Sequence, residues 1–129
     1  MKWQPEFATG DAGIDDQHKM LFETSDQFRR TLEAGEGHRT YDLFLDFLTA
    51  YCEMHFSIEE KCMFAHKCPV ATQNHHEHGL FLRLVEKENA RFREDGFDAG
   101  SATKLVDTID SWMESHICRI DVRLREVLA

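Results

Sequence analysis

Apolar residues recur along this chain at steps of three and four, the period of a helix with one buried face. Leu21, Phe22, Phe28 and Leu32, with Ser25 among them, mark a first stripe. It predicts a helix from about Asp16 to Ala34, with Asp15 or Asp16 as its N-cap. Phe44, Phe47, Leu48, Tyr51, His55, Ile58 and Cys62 form a second stripe, from about Arg39 to Ala65. A third begins after Pro69, a residue tolerated at a helix start, and carries His78, Phe81, Leu82, Val85 and Phe92. A fourth runs from about Ser101 to the end of the chain, through Leu105, Ile109, Trp112, Met113, His116, Ile120 and Leu124. The breaks fall at Gly35-Glu36-Gly37, at Lys67-Cys68-Pro69 and between Asp95-Gly96 and Gly100-Ser101. No segment alternates as a strand would. Four amphipathic helices on short connections predict one all-α domain, an antiparallel up-down-up-down four-helix bundle over residues 1–129.

Composition narrows the partners. The 129 residues are 42% hydrophobic and 30% charged, and the net charge is −9. An acidic chain without a basic stripe is repelled by nucleic acid. No run approaches the roughly 20 apolar residues that cross a bilayer, and the first residues lack the apolar core of a signal peptide. The expectation is a cytoplasmic protein with no nucleic-acid or membrane partner. Cys52, Cys62, Cys68 and Cys118 form no CxxC pair, so buried, reduced thiols are expected. The stretch from Cys62 through His66 to Cys68 has a spacing that matches no usual zinc finger.

Eight histidines are many for this length, and several lie in the apolar stripes, where an unsatisfied polar group is costly. His55 and Glu59, four apart, project about 40° from each other on one helix face. His78 stands in the third stripe, His18 in the first turns of the first helix, and His116 and Asp121 toward the end of the fourth. Taken singly, a core histidine is usually a hydrogen-bonded core residue. Taken together, these groups fall inward on four different helices, and a bundle brings such groups to one centre. His116 and Asp121, five apart, are roughly 140° from one another on an ideal helix; a π-bulge, or a sideways reach by Asp121, would reconcile them. His38 and His66 are expected at the surface, and His75 and His76 could face either way.

Several motifs then align in order. Trp3-x-x-x-Phe7-x-x-Gly10 precedes Ile14-Asp15-Asp16-Gln17-His18-Lys19-Met20-Leu21-Phe22. His55-Phe56-x-x-Glu59-Glu60-x-x-Met63 follows, then Pro69, His78-x-x-Phe81 and Trp112-x-x-x-His116-Ile117-x-x-x-Asp121. With these, the chain resembles the bacterial hemerythrins over nearly its whole length. The resemblance implies a cofactor of two non-haem iron ions (Fe2+/Fe3+) joined by an oxo or hydroxo bridge and by Glu59 and Asp121. It assigns His18 and His55 to the iron at which O2 binds, and His78 and His116 to the other. Dioxygen would be reduced to hydroperoxide as both irons pass from ferrous to ferric.

The chain departs from the family at one place. The residue four before His78, a ligand histidine in the family, is Asn74, and an amide is a poor iron ligand beside imidazole. Either one iron has a vacant or water-filled position, or His75, about 60° round the helix from His78, takes over. A vacancy implies fast autoxidation. That suits an O2 and redox sensor, the non-enzymatic input part of a longer signalling protein with a C-terminal effector such as a cyclic-dinucleotide synthase or chemotaxis receptor. The helix that stops on an apolar pair fits such a truncation, and a frayed natural end equally well. The alternatives are a reversible O2 carrier or store, an enzyme acting on peroxide or nitric oxide, and a purely structural bundle.

Overall fold

A computed structural model describes residues 2–128. Four long helices, α1 (Ala12–Glu33), α2 (Tyr41–Ala65), α3 (Ala71–Asp95) and α4 (Ala99–Arg119), make the bundle. The connections are short, and packing runs in the cycle α1–α2–α3–α4–α1, the arrangement that the stripes predict. Among the described residues there is no strand.

The caps differ from expectation. Asp11, not Asp15 or Asp16, caps α1: its carboxylate accepts from the backbone N–H of Ile14 at 2.9 Å. Asp15 instead accepts from the backbone N–H and the hydroxyl of Thr9, at 2.9 and 2.8 Å. The start is four residues earlier than the apolar stripe suggests because Ala12 and Gly13 occupy a first turn whose N–H groups have no helical partner anyway. Arg39 belongs to a short 3-10 turn, Gly37–Arg39, that precedes α2.

The fourth helix does not run unbroken to the end. α4 stops at Arg119, Ile120 turns at φ −112° and ψ −63°, and a 3-10 turn, Asp121–Leu124, leads into one last helical turn, Arg125–Leu128. Ala129, where the fourth stripe was expected to finish, lies outside the described residues. Ile58 also departs from its stripe: it is 41% exposed, on the outer side of α2.

Apolar residues gather in two clusters. The larger holds Phe22, Phe28, Phe44, Leu45, Leu48, Phe81, Leu105 and Ile109 among others. The smaller, toward the other end, holds Ile14, Met63, Val70, Ala71, Ile120 and Leu124. On α1 and α3 the inward histidine falls in sequence between the two, and on α2 and α4 the inward groups sit where the larger cluster gives way to the smaller. A polar layer is thereby sandwiched along the bundle axis. Ile109 is fully buried in the larger cluster, so Ile109→Ala should cost about 2–5 kcal/mol through lost burial and a residual cavity. Urea unfolding would measure the loss.

At the far end from the polar layer, the fully buried Tyr41 donates its hydroxyl to Glu88, which also takes two hydrogen bonds from Arg91, at 2.6 and 3.0 Å. Burial pushes the Glu88 carboxyl up, but the hydrogen bonds from Arg91 and Tyr41 outweigh it and hold the group below its ordinary value of 4.5. A lowered folded value means that the contribution is present above 4.5 and lost as pH falls through the folded value. The stability advantage of the wild type over Glu88→Gln should therefore be full near neutrality and vanish in acid. Thermal unfolding across pH 3–7 tests this, and a gap that stays constant to the acid end would contradict it.

Candidate metal centre

His18 comes from α1, His55 and Glu59 from α2, His78 from α3, His116 from α4, and Asp121 from the turn beyond it. All six are at most 1% exposed, and the structure brings all six together. Ligand atoms of Glu59, His78, His116 and Asp121 lie within 4.8 Å of one another, and so do those of His18, His55 and Glu59.

The two carboxylates divide their oxygens between two histidine pairs. Glu59 Oε2 is 3.1 Å from His18 Nε2 and 3.4 Å from His55 Nε2, while Glu59 Oε1 is 3.0 Å from His78 Nε2. Asp121 Oδ2 is 3.2 Å from His18 Nε2, and Asp121 Oδ1 is 3.1 Å from His116 Nε2. Asp121 reaches the centre by neither a π-bulge nor a sideways reach from the helix. α4 ends first, and the break at Ile120 (φ −112°, ψ −63°) redirects the chain so that Asp121 lies beside His116.

The other ring nitrogens of His55, His78 and His116 are held from outside, whereas His18 Nδ1 is buried without a partner. His55 Nδ1 meets Gln17 Oε1 at 2.6 Å, His78 Nδ1 meets Glu60 Oε2 at 2.8 Å, and His116 Nδ1 meets Glu77 Oε1 at 2.8 Å. An acceptor on Nδ1 keeps the proton there and turns the Nε2 lone pair inward, the arrangement of metal-ligating imidazole. Rings fix the orientation further. Phe56 stacks on His78 at 3.8 Å between centroids, and Trp112 on His116 at 4.4 Å. Gln17, Glu60 and Glu77 escape the apolar stripes because each sits one residue from a buried ligand-type residue, about 100° round the helix. A polar side chain beside each core histidine or glutamate is the signal that could have found them.

Does this donor set fit a cation? Glu59 Oε1, His78 Nε2 and Asp121 Oδ1 are buried without a hydrogen-bond partner, although each lies about 3 Å from another donor atom of the set. They aim at common points rather than at one another, which is what metal ligands do. Without an ion the charges lean on protons. Burial pulls the His18 imidazole down, yet hydrogen bonds to Asp121 and Glu59 push it up to about 10. Burial likewise raises Glu59, but His18, His55 and His78 hold its carboxyl well below the usual range. The set fits a pair of cations.

Asn74 is buried in this layer. Its Oδ1 lies 2.7 Å from His116 Nε2, and its Nδ2 has no partner. His75 does not replace it. That ring is exposed and bonds Glu60 through Nδ1, and it contributes no atom to either donor group. His38, His66 and His76 are exposed. His66 turns to the backbone carbonyl of Cys62 at 2.9 Å, and among the described residues Cys62, His66 and Cys68 form no metal-holding group. All four thiols are free; Cys52 and Cys68 are buried, but Cys62 is half-buried and Cys118 exposed, against the expectation of burial.

Comparison with known proteins agrees with this geometry. The hemerythrin HHE cation binding domain matches residues 9–126. The bacteriohemerythrin of Clostridium acetobutylicum is 30% identical over 131 residues, covering 92% of this chain and 94% of its own. That of Pseudomonas aeruginosa is 29% identical over 115 residues, covering 89% and 72%. On this evidence the chain belongs to the hemerythrin HHE cation binding domain family.

Proposed function

We propose that this protein is a di-iron domain that responds to O2 and to redox state, oxidising quickly rather than storing oxygen. The observation that carries this reading is the division of the carboxylate oxygens, one from Glu59 and one from Asp121 to each histidine pair. Imidazole with carboxylate suits iron among the common divalent metals. His18 and His55 would hold one iron and His78 and His116 the other, with Glu59 and Asp121 offering carboxylate oxygens to both. Bound as a pair, the irons supply the two electrons that dioxygen takes up.

The protein's own part is positional. Gln17, Glu60 and Glu77 fix three of the imidazoles, and Phe56, Phe81 and Trp112 keep bulk water from the rings. Asn74 supplies no imidazole where α3 faces His116, so the second iron has fewer protein donors than a histidine there would give. An under-filled coordination sphere favours loss of the oxidised oxygen species, which is poor for reversible carriage and suited to sensing. In this reading the domain is no enzyme itself. It works in the cytoplasm as the input module of a signalling protein, and Asp121, on the turn beyond α4, couples the centre to whatever that segment contacts. Among the described residues no helix is long and apolar enough to cross a membrane.

Anaerobic reduction of the iron-loaded protein, then exposure to air under optical spectroscopy with metal analysis, tests the reading. Two irons per chain and one-way oxidation are expected. Colour that returns to the reduced state on flushing with argon would make the protein a carrier instead, and a preparation without iron would leave only a structural bundle.

A further inference from the structure

Asn74 stands on α3 four residues before His78, the spacing that places two side chains on one helix face. Its carboxamide is 0% exposed. One end of the carboxamide, Oδ1, lies 2.7 Å from His116 Nε2, and the other, Nδ2, has no partner among the described residues. A buried amide donor left unpaired is costly, and each such group in a native structure calls for a partner. His116 Nε2 is also the atom that the di-iron reading gives to a metal. Loading that metal takes the imidazole away from Oδ1 and leaves the whole carboxamide beside a cation with nothing from the protein to bind.

The donor count says what belongs there. On the di-iron reading each metal would receive two imidazoles and at most one oxygen from each carboxylate, so neither would be filled to octahedral coordination by protein and a single bridging oxygen. Apart from the donors themselves and the Glu60 and Glu77 carboxylates on the outer nitrogens of His78 and His116, the environment is apolar and aromatic. Phe56 and Trp112 cover the two rings, and Val70 and Ala71, one turn before Asn74, are buried in the smaller cluster. A hydrated or multiply charged ion would leave its own groups unpaired there. A small monoanion would not: one end binds the metal and an acceptor lone pair takes the amide proton.

We propose that Asn74 makes the His78–His116 side of the centre a binding position for a small monoanion, with Nδ2 as the hydrogen-bond donor that holds it. This rests on the di-iron reading above. Asn74 acts as a specificity-determining residue, favouring anions with an acceptor atom next to the metal-bound one over neutral ligands of equal size.

The test uses azide as the probe, titrated into oxidised, iron-loaded protein by absorption and infrared spectroscopy, with metal content measured for each sample. The wild type should bind two azides per centre, and Asn74→His one. Asn74→Leu, of similar size but without a donor, should weaken one of the two about tenfold while keeping both irons. In the wild type the infrared band of one azide should shift between H2O and D2O, a readout that needs no variant. One azide per centre in the wild type, or unchanged azide binding in an Asn74→Leu protein with both irons, would overturn the inference and leave the di-iron reading standing. Fewer than two irons in the wild type would remove that reading, and the inference with it.

Discussion

Asn74→His should slow the oxidation of the reduced, iron-loaded protein in air by about tenfold or more, equivalent to ~1.4 kcal/mol on the barrier. The substitution puts an imidazole on the α3 face that His78 already occupies, directly beside His116. On the di-iron reading it would fill a position that the carboxamide leaves open, and a filled coordination sphere would retain its oxygen species longer. The same change has a cost that separates it from a general stabilisation. Asn74 is fully buried, and a larger ring in the metal-free protein should overpack the layer by about 1–3 kcal/mol. Metal-free Asn74→His should therefore melt below the wild type even as the loaded form oxidises more slowly. Stopped-flow absorption reads the first effect and calorimetry the second. Equal oxidation rates, with two irons in both proteins, would show that this position does not control the lifetime.

Glu59→Gln should reduce the metal content from two ions per chain to fewer than one. Glu59 is the side chain that lies near three of the four inward histidines, at 3.1 Å from His18, 3.4 Å from His55 and 3.0 Å from His78. Glutamine keeps the shape but replaces one oxygen with an amide that donates, and a donor repels a cation. Metal that binds only the folded chain stabilises it by about 4 kcal/mol when present at a thousand times its dissociation constant. For a chain of this size that is a rise of roughly 10–20 °C in Tm. The wild type should show the rise on adding iron anaerobically and Glu59→Gln should not. Two irons retained in the variant, by mass spectrometry after desalting, would remove Glu59 from the bridge.

Much of this was legible in the chain. The four stripes located four helices because a bundle buries one face of each, and that face must be apolar at the helical period. The inward histidines stood out for the same reason, as polar residues where only burial was expected. Asn74 could be recognised as a substitution because Pro69 and His78 hold its register from both sides. The stripes misplaced Ile58 because α2, the helix with the most apolar residues, has more of them than its buried face can take. They missed Gln17, Glu60 and Glu77 because a polar residue off the stripe looks like any solvated one until its neighbours across the bundle are known.

The order of hydrophobic and polar residues alone determined the helices, their number and the layer in which the histidines meet, since these follow from local period and from the cost of burying polarity. Only the packed structure decided how Asp121 arrives. Its placement depends on where α4 ends, and that end is set by Ile120 and Leu124 turning into the small apolar cluster, a long-range contact that no local pattern contains. The same packing decided between Asn74 and His75. They are neighbours in sequence and point to opposite environments, one to His116 and the other to Glu60 at the surface, because about 100° of helix rotation separates them and only the position of α4 makes one side the interior.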